Sequence, residues 1–392
     1  MAILSGPGLL YTLRLHWKKS TAGAIVFVAG GYYGIDRFRA HLIRRSYCQR
    51  AKVYSEELLS HPTDNNRRMM VFLNPAVDRG NPRKLFQKNV APILHMAGID
   101  VTVVESEYEG HLRTLMGYMD KGLSGIVIAG GDGSIQEAVT GLLRRTDESS
   151  IASVPIGIVP MGKSNSLAGK LFRSEASDVR RLCDAAFSIV TGQTQPLDVM
   201  SLKSENKSQP AVFSVGLLQW GLFRDTDRTL DKFWWTGRFR GFSAYLWRTI
   251  KGPWPHQRHI SVTVPETQAQ QSADQPGAAS TVAADLRQGV DTAALQVCTP
   301  LASDDKLDQI TMKIWPANVN KNSFIGYGWR KHVLRQPTED LPTAFELTGT
   351  EFQLNLPEDE VSWFSIDGEM YEAQSVKITL LPKKLKIFVP ER

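Results

Sequence analysis

Ile126-Val127-Ile128-Ala129-Gly130-Gly131-Asp132-Gly133-Ser134 runs directly into Ile135-Gln136-Glu137-Ala138-Val139-Thr140-Gly141-Leu142-Leu143. A short β-branched apolar run, a glycine-broken loop and then apolar residues at 135, 138, 139, 142 and 143 predict a buried strand, a tight turn and an amphipathic helix. The turn is then a helix N-terminus, where unpaired N–H groups and the positive dipole end favour an anion, and glycines let a phosphate approach the backbone closely. Asp132 does not belong in a simple phosphate cradle. Its charge is tolerable there only if a cation lies between it and the phosphate, or if the carboxylate takes a proton during reaction. That combination reads as phosphoryl transfer. A ligand-free strand-glycine-helix turn would give the same pattern, so the rest of the chain has to decide.

With 42% apolar and 22% charged residues in 392, the composition is that of a globular chain long enough for two cores. The net charge of +6 is unevenly placed: residues 1–68 hold 11 Lys/Arg against 4 Asp/Glu, leaving 35 against 36 for the remainder. A near-neutral body argues against nucleic-acid binding, and a basic arm suits a membrane or an import machinery. Cys48, Cys183 and Cys298 are too few and too scattered to signal a disulfide framework or a zinc cluster.

Met1 to Ile35 contains no acidic residue, and Arg14, His16, Lys18 and Lys19 precede the uncharged run from Ser20 to Ile35. An acid-free, basic, hydroxyl-containing start is the composition of a mitochondrial targeting segment. Sixteen helical residues reach only roughly 24 Å, short of the roughly 30 Å hydrocarbon core, so the run is expected to be a marginal anchor with flanking Trp17, Lys18, Lys19 and Arg37 at the interface. Residues 36–66 are expected to form a basic helix ending in His61-Pro62-Thr63-Asp64-Asn65-Asn66, with the folded body starting after it.

From there strands and helices alternate: a strand from Met69 to Leu73, a helix from Pro82 to Met96, a strand from Ile99 to Glu105 and a helix from Glu109 to Met119 lead into the opening motif. This predicts an α/β doubly wound, parallel nucleotide-binding sheet over 67–193, with ligands beyond the carboxyl ends of its strands. After the helix from Ser177 to Val190 the texture changes to alternating, aromatic-rich strands, expected as an antiparallel β-sandwich-like domain over 194–392. Residues 268–289 lack periodicity and are expected to be a disordered loop. The acidic stretch Ala302 to Asp308 is expected to be an exposed turn.

Four strand ends carry motifs: Asn74-Pro75 through Gly80, Glu105 through Gly110-His111, the glycine loop, and Pro160-Met161-Gly162-Lys163-Ser164-Asn165-Ser166. In order and spacing they resemble the nucleotide-contacting loops of the diacylglycerol kinase and sphingosine kinase catalytic family. Gly130-Gly131-Asp132-Gly133-Ser134 resembles that family's G-G-D-G-[ST] signature. The resemblance implies an ATP-dependent lipid kinase using Mg2+, with Asn74, Pro75, Glu105, Gly110, Gly130, Gly131, Gly133, Ser134, Glu137, Gly162 and Asn165 about the nucleotide. Lys163 departs from the family pattern, standing where a hydroxyl is usual, though a lysine can still reach a phosphate as a point charge.

In the second half, Trp220-Gly221-Leu222-Phe223-Arg224-Asp225-Thr226-Asp227 resembles the segment that pairs a lipid-headgroup carboxylate with a basic phosphate contact. This implies Asp225 or Asp227 for the lipid and Arg240 for the phosphates. Trp234 stands where sphingosine kinases tend to carry arginine. Ser365-Ile366-Asp367-Gly368-Glu369 resembles the family's late D-x-E motif, which implies catalytic and metal-binding roles for Asp367 and Glu369 alongside Asp132. A hairpin turn built on Asp-Gly would look the same.

The likeness runs from the arm at Leu15-His16-Trp17-Lys18-Lys19 to Leu381-Pro382-Lys383-Lys384-Leu385, and includes Leu143-Arg144-Arg145-Thr146-Asp147-Glu148. It points to an animal mitochondrial branch of the family. That branch implies mono- and diacylglycerol as substrates, lysophosphatidic and phosphatidic acid as products, and a place at the mitochondrial inner membrane facing the intermembrane space beside the carrier translocase. Two other classes stay open. NAD kinases share the glycine-aspartate signature but have no use for a membrane arm, and a non-catalytic translocase subunit would accommodate Lys163 and Trp234.

Overall fold

A computed structural model describes residues 17–60, 67–76, 81–120, 122–147, 153–172, 177–204, 209–255, 257–264, 289–299, 309–334, 345–357 and 362–391. The predicted loop 268–289, apart from Gly289, and the acidic turn 302–308 lie outside the described residues.

The first four strands are β1 (Arg68–Leu73), β2 (Asp100–Glu105), β3 (Gly125–Gly130) and β4 (Ile156–Pro160), paired in parallel in the order β2-β1-β3-β4. All six residues of β3 are buried, as a continuous apolar run at the centre of a parallel sheet requires. Helices α1 (Trp17–Ser60), α2 (Pro82–Asn89), α3 (Ala91–Met96), α4 (His111–Gly117), α5 (Asp132–Leu143), α6 (Ser166–Leu171) and α7 (Asp178–Thr191) accompany it. The single helix expected over 82–96 is two, broken at Val90. Pro92 has no N–H to continue the ladder, and α3 restarts on Val90 as its N-cap.

The remaining strands are β5 (Thr194–Ser204), β6 (Val212–Ser214), β7 (Leu217–Gly221), β8 (Arg258–Thr263), β9 (Val290–Cys298), β10 (Ile310–Pro316), β11 (Phe345–Gly349), β12 (Glu351–Asn355), β13 (Trp363–Ile366), β14 (Glu369–Glu372) and β15 (Val376–Phe388). Their pairings are antiparallel, apart from one parallel contact that joins the end of β15 to β4 through Ile387 and Ile156. The β half and the α/β half therefore share one sheet. Leu385, Ile387 and Phe388 belong to the α/β core, while Trp220, Leu295, Met312, Phe352 and Phe364 centre a second core. A third cluster, around Phe223, Tyr245, Phe324 and Tyr327, sits under α8 (Leu222–Asp227), α9 (Arg240–Lys251) and α10 (Lys321–Trp329). The chain is split between β6 and β7 at Val215-Gly216, and the split faces the cleft described below.

The N-terminal helix corrects one expectation. α1 is continuous for 44 residues, and its second half is part of the folded body: Tyr47 and Ala51 are buried in the α/β core. Arg44 Nε donates to Asn89 Oδ1 at 2.9 Å, Tyr47 hydrogen-bonds Asp184, and the Arg50 guanidinium lies 4.1 Å from the Phe187 ring centre. The body thus begins near residue 40, not after 66. The apolar face at Ala40, Tyr47 and Ala51 lies amid a basic sequence, and the charges masked it. Toward the N-terminus Val26, Phe27, Val28 and Tyr32 are exposed, and a Cβ added at Gly30 or Gly34 would meet nothing within 4 Å. Among the described residues no helix is long and apolar enough to cross a membrane.

Candidate active site

The glycine loop is held by its neighbours at every position. Asn74, just past β1, donates from Nδ2 to Ser134 Oγ at 3.0 Å, and its Oδ1 accepts from the Ala76 amide at 2.9 Å, closing the Asn74-Pro75 turn. A Cβ on Gly130 would lie 2.5 Å from Ser134 Oγ, and one on Gly162 would lie 2.2 Å from Gly131 Cα. The glycines at 131 and 162 therefore let two loops touch backbone to backbone. Asn165 clamps the second loop by accepting from the Gly162 amide at 3.0 Å and donating to the Gly162 carbonyl at 2.6 Å. Glu137 Oε1 accepts from the Gly110 amide at 3.0 Å, and Gly110, at φ +83°, opens α4. Glu105 stands apart from this group, 3.5 Å from Arg83 in an ion pair.

Asp132 is buried and bridges the two loops. Its Oδ2 accepts from Ser164 Oγ at 2.6 Å and the Ser166 amide at 2.8 Å, its Oδ1 takes the Leu167 amide at 3.4 Å, and its own amide donates to the Ser164 carbonyl. The carboxylate thus caps α6, a role the sequence did not suggest. At the start of α5, Ile135 N–H returns to the Gly131 carbonyl.

Asp367 and Gly368 form the two-residue turn between β13 and β14, at φ +50° and +93°. The hairpin turn built on Asp-Gly, the alternative reading of this motif, is therefore present in the fold. Asp367 Oδ2 accepts from the Val215 amide at 2.9 Å and Oδ1 from the Leu217 amide at 2.7 Å, so the break between β6 and β7 exists to receive it. Burial pushes its carboxyl up to about 6, against the pull of those donors and with repulsion from Asp132 adding to the rise.

Asp132 and Asp367 line one cleft of about 520 Å³ between the two halves, together with Lys163, Arg228, Asp227 and Arg240. Glu369 is not among the residues lining this cleft but lies against the glycine loop itself: a Cβ on Gly133 would fall 2.0 Å from its Oε1. Burial and then the neighbouring Glu137 and Glu109 raise its pKa. Of the expected triad, Asp132 and Asp367 share the cleft and Glu369 stands beside the same loop at Gly133. Among the described residues no three acidic, His or Cys side chains form a preformed cage. Two carboxylates facing across a cleft do fit a magnesium ion that takes its other ligands from phosphate and water.

Of the two lipid-headgroup candidates, Asp227 lines the cleft and Asp225 does not. Asp225 is enclosed by Arg224 at 2.7 Å and Arg258 at 2.9 Å. Asp227 is held by Lys331 at 2.5 Å, His332 at 3.3 Å and the Tyr245 hydroxyl at 3.0 Å. Burial alone would raise its carboxyl, but Lys331 and His332 hold it at about 2. Lys331 and His332, more than 100 residues away in a short π-helical segment, were not legible as site residues. No motif surrounds them.

The α/β half with its Gly-Gly-Asp-Gly loop, closed by an antiparallel half that brings a second carboxylate, defines a kinase of the diacylglycerol-kinase type. A family model of the diacylglycerol kinase catalytic domain matches residues 68–202, and one of the acylglycerol kinase C-terminal region matches residues 287–392. Mitochondrial acylglycerol kinase of Homo sapiens is 37% identical over 412 residues, covering 97% of this chain and 96% of its own length; that of Mus musculus is 38% identical over 411 residues, with the same coverage. A putative diacylglycerol kinase from Bacillus anthracis covers 82% of this chain and 97% of its own at a TM-score of 0.54 and 13% identity, a likeness of fold. The chain belongs to the acylglycerol kinase family and is a lipid kinase.

Proposed function

We propose that this kinase transfers the γ-phosphoryl group of ATP to a primary hydroxyl of mono- or diacylglycerol, giving lysophosphatidic or phosphatidic acid. The observation that carries the reading is the cleft in which Asp132 from one half and Asp367 from the other stand together among Lys163, Arg228 and Arg240. The Gly133 and Ser134 amides and the cations hold the polyphosphate, with Arg240 as the phosphate contact. Asp227, kept ionised, accepts from a glycerol hydroxyl. Asp367 orients the attacking hydroxyl and takes its proton as the new P–O bond forms and the β–γ bridging bond breaks. When bound, magnesium would be held by Asp132 and Asp367 and would supply neutralisation of phosphate charge. The relatives' names and the basic start of the chain support a mitochondrial location. We place the protein at the inner membrane facing the intermembrane space, where a partnership with the carrier translocase is part of the proposal.

The test is transfer from radiolabelled Mg·ATP by the purified full-length chain to a panel of lipid alcohols in mixed micelles. Labelled lysophosphatidic and phosphatidic acid are expected. Transfer to other lipid alcohols alone would overturn the substrate assignment, and transfer to none would favour the assembly role without catalysis.

A further inference from the structure

Between the cleft residues Arg228 and Arg240 the chain makes a tight helical segment, Leu230–Phe239, in which no residue is buried. It nonetheless carries Phe233, Trp234, Trp235 and Phe239. Trp234 and Trp235 are 77% and 69% exposed. Indoles left in water forgo the stabilisation that burial would give, and clustered exposed rings mark a contact surface.

The surface continues beyond the segment. The Phe233 ring meets Trp247 edge-on at 6.2 Å, and Phe239 stacks on Trp329 at 5.9 Å, which ties the segment to α9 and α10. Helix α9 is one-sided: Gly241, Ala244 and Tyr245 are buried, while Trp247 and Ile250 are exposed. Cations are threaded among the rings, with Lys251 Nζ 5.4 Å from the Trp247 ring centre and Arg238 6.0 Å from that of Phe239. From Leu230 to Lys251 the only acid is Asp231, against Lys232, Arg238, Arg240, Arg248 and Lys251.

We propose that this aromatic face docks on a phospholipid bilayer containing anionic lipid and presents the cleft to the leaflet from which the acylglycerol is drawn. The inference rests on the acylglycerol reading of the cleft. Tryptophans with interleaved lysine and arginine match the interface between head groups and acyl chains, the rings entering the boundary and the cations meeting anionic phosphates. The face is also continuous with the site: Leu230, Asp231 and Arg240 line the cleft, and the exposed rings lie between and beside them. A lipid leaving the leaflet has no aqueous gap to cross. The exposed stretch of α1 from Val26 to Phe38 supplies the attachment, and the aromatic face sets the orientation.

The experiment uses the full-length chain and its Trp234→Ala/Trp235→Ala/Trp247→Ala variant with vesicles of phosphatidylcholine, alone or mixed with phosphatidylglycerol. It reads flotation and the quenching of tryptophan fluorescence by brominated lipid. The variant should partition about tenfold or more weakly onto the mixed vesicles and lose most of the quenching, since each ring withdrawn from water is worth about a tenfold change. It should still phosphorylate a short-chain acylglycerol dissolved as monomer. Unchanged partition and quenching would overturn the proposal, leaving α1 as the membrane contact. So would self-association of the unaltered chain without vesicles that the variant abolishes, which would make this face an interface between copies. Loss of transfer to the dissolved substrate with vesicle binding intact would instead place the rings in the cleft. Should the triple variant fail to fold, Lys232→Glu/Arg238→Glu tests the same face, and it should abolish the preference for phosphatidylglycerol. Neither binding readout uses ATP, so failure of the acylglycerol assignment leaves its own distinct trace.

Discussion

The cleft has two ends, and each holds a carboxylate withdrawn from water. At the hairpin end Asp367 faces the amides of Val215 and Leu217 and the charge of Asp132; at the helical end Asp227 faces Lys331, His332 and Tyr245. Burial pushes both pKa values upward, yet Asp367 rests at about 6 and Asp227 at about 2. The partners decide the outcome. Neutral donors and a like charge leave Asp367 able to exchange a proton near neutrality, while a lysine and a histidine fix Asp227 as a permanent anion. On the proposed function, two acids in one site pushed apart in this way would divide the labour, one as proton acceptor and the other as hydrogen-bond acceptor for the lipid.

The largest expected effect comes from erasing the difference at the hairpin end. Asn tolerates the left-handed backbone at 367 and keeps one acceptor, so Asp367→Asn should leave the fold intact while lowering kcat by about 10² to 10⁴, the usual contribution of a positioned base. The value of about 6 is that of the magnesium-free carboxyl, and bound magnesium would draw it down, so in the unaltered enzyme loaded with Mg·ATP the rise of kcat with pH should lie below about 6. Stability should move the other way. A carboxyl raised in the folded state contributes most below its unfolded pKa, and that contribution is lost as pH rises from 3.8 through about 6, so the melting temperature of the unaltered chain should fall relative to Asp367→Asn across that window. A kcat that stays within threefold of the unaltered enzyme would remove Asp367 from the chemistry.

A smaller, more diagnostic effect separates Asp227 from Asp225. Asp227→Asn should raise the KM for acylglycerol by about tenfold with a lesser change in kcat, because it removes a binding acceptor and leaves the base in place. Asp225→Ala should leave the KM of the folded enzyme alone and destabilise it by about 3 kcal/mol, since it strands the buried Arg224. Urea titration and steady-state kinetics on both variants read the two effects. If Asp225→Ala raises the lipid KM and Asp227→Asn does not, the helical end has been assigned to the wrong residue.

The two ends also differ in how far the sequence discloses them. The α/β wall is made of short runs at strand ends, each needing a glycine or an asparagine for local geometry. Gly131, Gly162 and Asn165 could be named, from the likeness of those runs to the family's loops, before any tertiary contact was known. Even so, Asp132 as the cap of α6 was hidden, because the donors Ser166 and Leu167 lie more than 30 residues away. The opposite wall assembles the split at Val215-Gly216, the hairpin at Asp367 and the pair Lys331-His332, which come together through sheet pairing and helix packing. Asp225 and Asp227 share one motif and helix α8, so local pattern could not separate them. The basic character of α1 likewise concealed the stripe at Ala40, Tyr47 and Ala51 that docks it. In each case the missing information was a long-range contact.

The smallest effect is expected at Lys163, and it concerns how the wall nearest Asp132 meets phosphate. Lys163 lines the cleft, with its Nζ 3.9 Å from Asp231 and both side chains more than half exposed. An ion pair so open to solvent contributes little to stability, because water screens the charges and ordering two long side chains costs entropy. Lys163→Ser, which restores the hydroxyl usual in the family, should therefore leave the melting temperature unchanged. On the proposed function the lysine is a point charge at the edge of the phosphate site, assisting ground state and transition state alike. Its loss should raise the KM for ATP by less than about tenfold and leave kcat and the lipid KM as they were. The KM for ATP should also become less sensitive to added salt, since one screened contact has gone. A fall in kcat of a hundredfold would show instead that Lys163 meets the transferring phosphoryl group itself, and the cation-bearing wall would then share the chemistry now assigned to the hairpin end.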